Sequence, residues 1–143
     1  MSSGEVRKGE EKREGRVREE VLKILHELAR EAGGQVNVAL CARRDGLPIS
    51  WLAPSRVEAE FMSVAVAAAV GALEGLGDIV GSKVKRIDIE LSNGRHVIIS
   101  VLNDKGLLAI GTSPRPNLGL IHLITRKYEE KLQGTIDVGA EGK

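Results

Sequence analysis

Residues 83–112 read KVKRIDIELSNGRHVIISVLNDKGLLAIGT, three strand-like runs divided by two tight turns. Ser92-Asn93-Gly94 and Asp104-Lys105-Gly106 have turn chemistry, and consecutive strands joined so closely are antiparallel neighbours. The first run, Lys83 to Leu91, alternates: Ile87, Ile89 and Leu91 point one way, Arg86, Asp88 and Glu90 the other. Such a strand is half-buried and belongs at an edge. The second, Arg95 to Asn103, is apolar on both faces, with Val97, Ile99 and Val101 opposed to Ile98 and Leu102. The third, Leu107 to Thr112, sets Leu107 and Ala109 against Leu108 and Ile110. Strands apolar on both sides are central and need helices above and below.

Just upstream lies the segment that supplies one of those layers. Ser55 is the expected N-cap of a helix, with Glu58 as its capping-box partner, and the helix is expected to end near Leu76 in a stretch holding Gly75, Gly77 and Gly81. At about 100° per residue, Val57, Phe61, Val64, Ala65, Ala68 and Ala72 gather on one face. Ala59, Met62, Val66, Ala69, Val70 and Leu73 gather on an adjoining one. A helix on a sheet needs an apolar stripe a little over 100° wide, and this one is apolar over roughly twice that. The surplus calls for a cover outside the monomer's own sheet. The second of the two faces is assigned to a self-contact, because small side chains let a second copy approach and a two-fold axis brings one patch against itself. The edge run Arg86, Ile87, Asp88, Ile89 and Glu90 offers a second self-complementary surface through antiparallel pairing. The narrow polar stripe, Arg56, Glu60, Ser63 and Glu74, is the candidate partner-binding face.

Further upstream, Val36 to Arg43 alternates, with Val36, Val38 and Leu40 on one face and Asn37, Ala39 and Cys41 on the other. Arg44-Asp45-Gly46 turns the chain into Leu47–Leu52, where Pro48 suits an edge position because it has no N–H for a ladder. From Arg16, the residues Val17, Val21, Leu25, Leu28 and Ala32 recur at helical spacing until Gly33-Gly34. Downstream, Ser113-Pro114-Arg115-Pro116 is a rigid loop and Asn117 an N-cap for a helix over Leu118–Leu132. Residues 1–15 carry mixed charge and are expected to form a flexible tail, as are residues 133–143. Residues 16–132 form the domain, of class α+β in the order α-β-β-α-β-β-β-α.

The whole chain bounds what such a domain does. Its 143 residues suit one domain. Basic residues number 21 and acidic ones 20, for a formal charge of +1, so no basic stripe is available for nucleic acid. One cysteine, Cys41, makes no internal disulfide, and with no secretory signal it implies the cytoplasm. The longest apolar run, Val64 to Leu73, is too short to insert across a membrane. Asn, Gln, Met and Cys are scarce beside Glu, Arg and Lys, a bias of proteins from hot environments. Trp51, Phe61 and Tyr128 are the whole aromatic set, too few to line a stacking platform or a cofactor slot.

Chemistry-bearing patterns are few. His26, His96 and His122 fall in three elements without metal-ligand spacing. No serine sits in a nucleophile elbow, and Cys41 on an inner strand reads as a small core residue. Gly77 to Lys83 has the composition of a phosphate-binding loop, but its spacing is one residue short and Lys83 precedes a strand, not a helix. No catalytic residue, metal ligand or cofactor is expected.

Arg44-Asp45-Gly46-Leu47-Pro48-Ile49 between two strands, the alanine-rich helix, the three-strand meander and Pro116-Asn117-Leu118-Gly119-Leu120-Ile121 opening the last helix come in a distinctive order. In that order they resemble the Roadblock/dynein-light-chain family over about residues 16–132. The resemblance implies a three-layer α/β/α roadblock (profilin-like) sandwich. Its five-stranded antiparallel sheet would have order 2-1-5-4-3, helix 2 on one face and helices 1 and 3 on the other. It implies homodimerisation through helix 2 and strand 3, and a non-catalytic platform that binds and regulates a Ras-like small GTPase. Arg43, Arg56 and Arg115 are each available as an inserted arginine, and nothing in the sequence singles one out. A nucleotide-independent structural adaptor is the alternative. A small-molecule sensor is a third, disfavoured by the lack of aromatic and convergent polar groups.

Overall fold

The computed structural model describes residues 3–141, with side chains from 8 to 137. Eight elements follow one another: α1 (Ser3–Glu31), β1 (Val36–Arg43), β2 (Pro48–Leu52), α2 (Arg56–Val80), β3 (Arg86–Glu90), β4 (His96–Asn103), β5 (Gly106–Thr112) and α3 (Leu118–Glu141). The strands form one antiparallel sheet in the order β2-β1-β5-β4-β3. β4 and β5 are internal and β3 is an edge, as the apolar patterning of residues 83–112 requires, and β1 is internal as well.

Helices cover the sheet on both sides. On one side α1 and α3 bury Val21, Leu25, Leu28, Ile121, Ile124 and Leu132 against Ala39, Cys41, Ile98, Leu102, Leu108 and Ile110. On the other, α2 sets Val66 and Val70 against Ile99, Leu107 and Ala109, with Met62, Ile87, Val97 and Val101 packed around them. Five strands about 4.8 Å apart span roughly 20 Å, while one helix with its side chains is about 10 Å across. Two helices therefore roof one face, and a single helix leaves much of the other unroofed.

Strand β1 departs from simple alternation. Its pairing with β5 shifts register between Val36 and Val38, so Val36 joins Ala39 and Cys41 in the α1/α3 core instead of sharing a face with Val38 and Leu40. An irregularity of this kind changes which side of the sheet a residue faces.

Both outer helices run further than expected. The segment read as a tail before Arg16 is helical from Ser3. Glu, Lys and Arg are strong helix formers, and pairs such as Arg18–Glu14, one turn apart, support the helix without a core. At the other end α3 continues past Leu132. Ile136 is buried in the α1/α3 core, lying over Gly106 where any side chain would collide with it. Asp137 accepts a 2.8 Å hydrogen bond from Asn103. Residues 133–137 are thus docked, not loose.

Helix α2 starts and stops as its residues dictate. Ser55, in extended conformation, accepts a hydrogen bond from the Glu58 N–H at 3.2 Å, and Asn117 does the same for the Leu120 N–H at 3.1 Å in α3. Gly81, at φ 77°, ends α2 in the left-handed conformation, and the Ser82 N–H returns to the Gly77 carbonyl at 2.9 Å. The Gly77–Lys83 stretch is therefore a helix C-terminus. Its free groups are carbonyls, the wrong pole for a phosphate.

Candidate functional site

The roll of α2 about its own axis decides which face is left for a partner. Three inward contacts fix it. The Ser63 hydroxyl, fully buried, donates to the Gly46 carbonyl in the β1–β2 turn at 2.8 Å. Glu74 receives the Arg44 guanidinium, which also donates to the Asn103 carbonyl at 3.1 Å. Gly77 lies so close to the Ser82 carbonyl that no side chain fits there.

This roll exchanges the two apolar faces relative to expectation. Ala59, Val66 and Val70, assigned to a self-contact, are buried within the monomer, the two valines against its own sheet. Met62 packs on the same cluster, and Ala69 and Leu73 are half-buried or more open without joining the free stripe. The free face is the other one: Val57, Phe61 and Val64 are 62%, 76% and 61% exposed, and Leu76, Ile79 and Val80 extend it at 56%, 82% and 72%. Ala65, Ala68, Gly71, Ala72 and Gly75 lie between them. Both faces are apolar, so hydropathy alone could not rank them. The signals that could have done so were Ser63 and Gly77, small residues on the inward side.

The polar stripe also divides. Ser63 is buried and Glu74 is engaged with Arg44, so neither is free for a partner. Arg56 and Glu60 remain exposed and pair with each other at 3.0 Å. Of the other arginines considered, Arg43 pairs with Asp45 at 2.7 Å. Arg115 is exposed on the loop before α3, where it adopts a positive φ of 52°.

Strand β3 pairs only with β4, and its other edge is open. Ile87 reaches the α2-side cluster, while Ile89 and Leu91 are 38% and 40% exposed. Its opposite face is fastened to α3. Arg86 and Glu129 form a 2.6 Å ion pair of two largely buried side chains, and Asp88 meets His96 of β4 at 2.7 Å with His122 of α3 at 3.9 Å. The sequence placed these histidines in separate elements, and only the sheet and helix packing brings them to one carboxylate. Among the described residues no group of three or more His, Cys, Asp or Glu side chains is arranged to hold a metal ion. Burial pushes the Cys41 thiol up to about 12, so it is protonated and unreactive at neutral pH.

By length and composition α2 is apolar enough to cross a membrane. In this fold it lies along the sheet, one face in the core and the other bare, so its candidate role is that of a docking surface: the outward stripe of α2 beside the open edge of β3.

Structures of similar architecture are known. MglB from Myxococcus xanthus superposes with a TM-score of 0.77 at 17% identity, over 85% of this chain and 91% of that one. The gliding protein MglB from Thermus thermophilus gives 0.73 at 19%, over 83% and 90%. A Roadblock/LC7 domain from Streptomyces avermitilis gives 0.67 at 14%, over 71% and 86%. Together with the strand order and the three-layer arrangement, they show that the chain has a roadblock-type fold. No family model matches the chain. In sequence it belongs to one family with the uncharacterized protein MJ0714 of Methanocaldococcus jannaschii, 30% identical over 112 residues that span 78% of this chain and 92% of that protein. MJ1340 of the same organism is 28% identical over the same length, 95% of its own chain.

Proposed function

We propose that this protein is a non-catalytic, cytoplasmic homodimeric platform that binds and regulates a Ras-like small GTPase. The observation that carries it is the outward stripe of α2, a row of apolar side chains lying bare beside an unpaired strand edge. Such a face needs a cover, and in a two-fold dimer the same patch on each subunit supplies it. The fold shared with MglB and Roadblock/LC7 proteins, and the family resemblance carried by Arg44–Ile49 and Pro116–Ile121, support a GTPase as the further partner.

A protein of this kind accelerates or restrains GTP hydrolysis by holding the GTPase's own catalytic groups in place. Arg56, Glu60 and Arg115 are the exposed charged side chains available for that contact. Affinity capture from native extract, run in parallel with GDP and with a non-hydrolysable GTP analogue, tests the proposal. A small GTPase retained in one nucleotide state and not the other is the expected result. The same partners in both states, or no GTPase, would replace regulation with a nucleotide-independent structural adaptor.

A further inference from the structure

Strand β3 is complementary to itself when reversed. Arg86 and Glu90 are its outer residues, Ile87 and Ile89 its inner ones, and Asp88 its centre. The Leu91 N–H donates to the Arg95 carbonyl and the Val101 N–H to the Lys85 carbonyl, so residues 85 and 91 turn their backbone groups toward β4. By alternation Arg86, Asp88 and Glu90 turn theirs outward, to the open edge. A second copy paired antiparallel about Asp88 engages all three. It sets Arg86 against Glu90 twice and Ile87 against Ile89 twice, opposite charge on opposite charge and apolar on apolar. It also sets Asp88 against Asp88, and like charges directly opposite each other are unfavourable. The pairing calls for a cation at its centre.

The surroundings of Asp88 suit a metal ion. Its Oδ1 accepts a 2.7 Å hydrogen bond from Nδ1 of His96, whose side chain is largely buried. That leaves Oδ2 facing Nε2 of His122 at 3.9 Å, with both of these side chains partly exposed. Two ligands of one tetrahedral zinc ion, each about 2.0–2.1 Å from it, lie about 3.3 Å apart. A small turn of the His122 ring closes that difference. A carboxylate held on its far oxygen by a buried imidazole also has the outer-shell support that metal ligands need.

One protomer supplies two ligands, too few for a site. A two-fold axis through Asp88, normal to the sheet, doubles them and keeps both sets on the α3 side. In a hydrogen-bonded antiparallel pair the opposed Cα atoms are about 5.5 Å apart, so the two carboxylates begin within reach of one ion. Two oxygens and two imidazole nitrogens form a donor set that zinc accepts.

We infer that Asp88 and His122 of two chains bind one divalent transition-metal ion of the zinc class on the two-fold axis between paired β3 strands, with His96 orienting each carboxylate. The inference rests on the homodimer proposed above and gives its strand edge a ligand.

Sedimentation of the full chain, stripped with EDTA and then titrated with Zn2+, tests it. Zinc at about ten times its own dissociation constant should lower the dimer dissociation constant about tenfold, with one zinc bound per two chains. His122→Ala should lose that response while its circular dichroism matches wild type. Asp88→Asn should lose it too, yet dimerise without metal at least as tightly as the stripped wild type, because the like-charge pair is gone. His26→Ala, altered on α1 far along the chain from β3, should respond as wild type does. A dimer indifferent to zinc, one zinc per chain, or a response that survives in His122→Ala or Asp88→Asn would overturn the site and leave the homodimer standing. A chain that sediments as a monomer with and without zinc would overturn both.

Discussion

The two faces of the sheet are finished to different degrees. Among the described residues, seventeen buried ones form one core on the α1/α3 side, closed by two helices and by the docked end of α3. On the α2 side five buried residues do the same work, under one helix that is as apolar outside as inside. The first face is closed within one chain and the second leaves apolar side chains of α2 bare. A monomer stabilised chiefly on one side can leave the other free for association, and the layer facing α2 is where sequence changes should alter partners before they alter folding.

The strongest test of that contrast is to remove comparable aliphatic groups from both sides. Leu25→Ala, on the closed side and fully buried, should cost about 2–5 kcal/mol of unfolding free energy, since it leaves a cavity. Val64→Ala, on the outward stripe, should cost under about 0.5 kcal/mol in the monomer. Urea denaturation at concentrations low enough to keep the chain monomeric would measure both, because association stabilises the folded state by mass action. Similar losses at the two sites would mean that the outward stripe is structural, and the asymmetry of the faces would disappear.

Most of this architecture was legible in the residues. The alternation of Arg86–Leu91 and the doubly apolar runs of β4 and β5 set the edge and the centre of the sheet, and Ser55 and Asn117 cap the helices they were expected to cap. Which face of α2 turns inward was not legible. Hydropathy ranks the two faces alike, and the choice is made by Ser63, Glu74 and Gly77 through contacts with residues 17, 30 and 5 positions away. The Asp88–His96–His122 cluster was hidden for a related reason, since β3, β4 and α3 meet only once the sheet and its roof are assembled. The extents of α1 and α3 were underestimated because charged helix formers carry no apolar period, and because Ile136 finds its place only over Gly106.

A smaller effect sharpens the account of how α2 is oriented. Ser63→Ala removes the 2.8 Å bond to the Gly46 carbonyl at a fully buried site. Losing a buried hydrogen bond in this way should cost about 1–2 kcal/mol. If the hydroxyl fixes the roll of α2, the variant should also change the protection of the Gly46 turn in amide hydrogen exchange. Unchanged stability and exchange would shift the credit for orientation to the Arg44–Glu74 pair and to the packing of Val66 and Val70.

The smallest expected effect lies on the closed side and appears only against pH. There the Tyr128 hydroxyl donates to the Glu31 carboxylate at 2.6 Å, and Lys127 reaches the same carboxylate at 3.2 Å. The bond from Tyr128, helped by Lys127, holds the Glu31 carboxyl below its ordinary value of 4.5. Accepting that bond from Tyr128 leaves the phenol reluctant to ionise, and with burial it pushes the Tyr128 hydroxyl from 10.0 up to about 12. A depressed carboxyl contributes stability above the unfolded value and loses it as pH falls through the folded one, here below pH 4.5. A raised phenol contributes fully below pH 10 and loses its contribution as pH climbs toward about 12. Tyr128→Phe removes both dependences together. Its melting temperature should lie below wild type by a constant margin across neutral pH, and the margin should narrow at both extremes. Since Glu31 is exposed to solvent, the acid limb should be the shallower of the two. A margin that stayed constant from acid to alkali would mean that Tyr128 contributes through its ring, which is buried in the α1/α3 core, and that the hydroxyl adds nothing to how α1 and α3 close their side of the sheet.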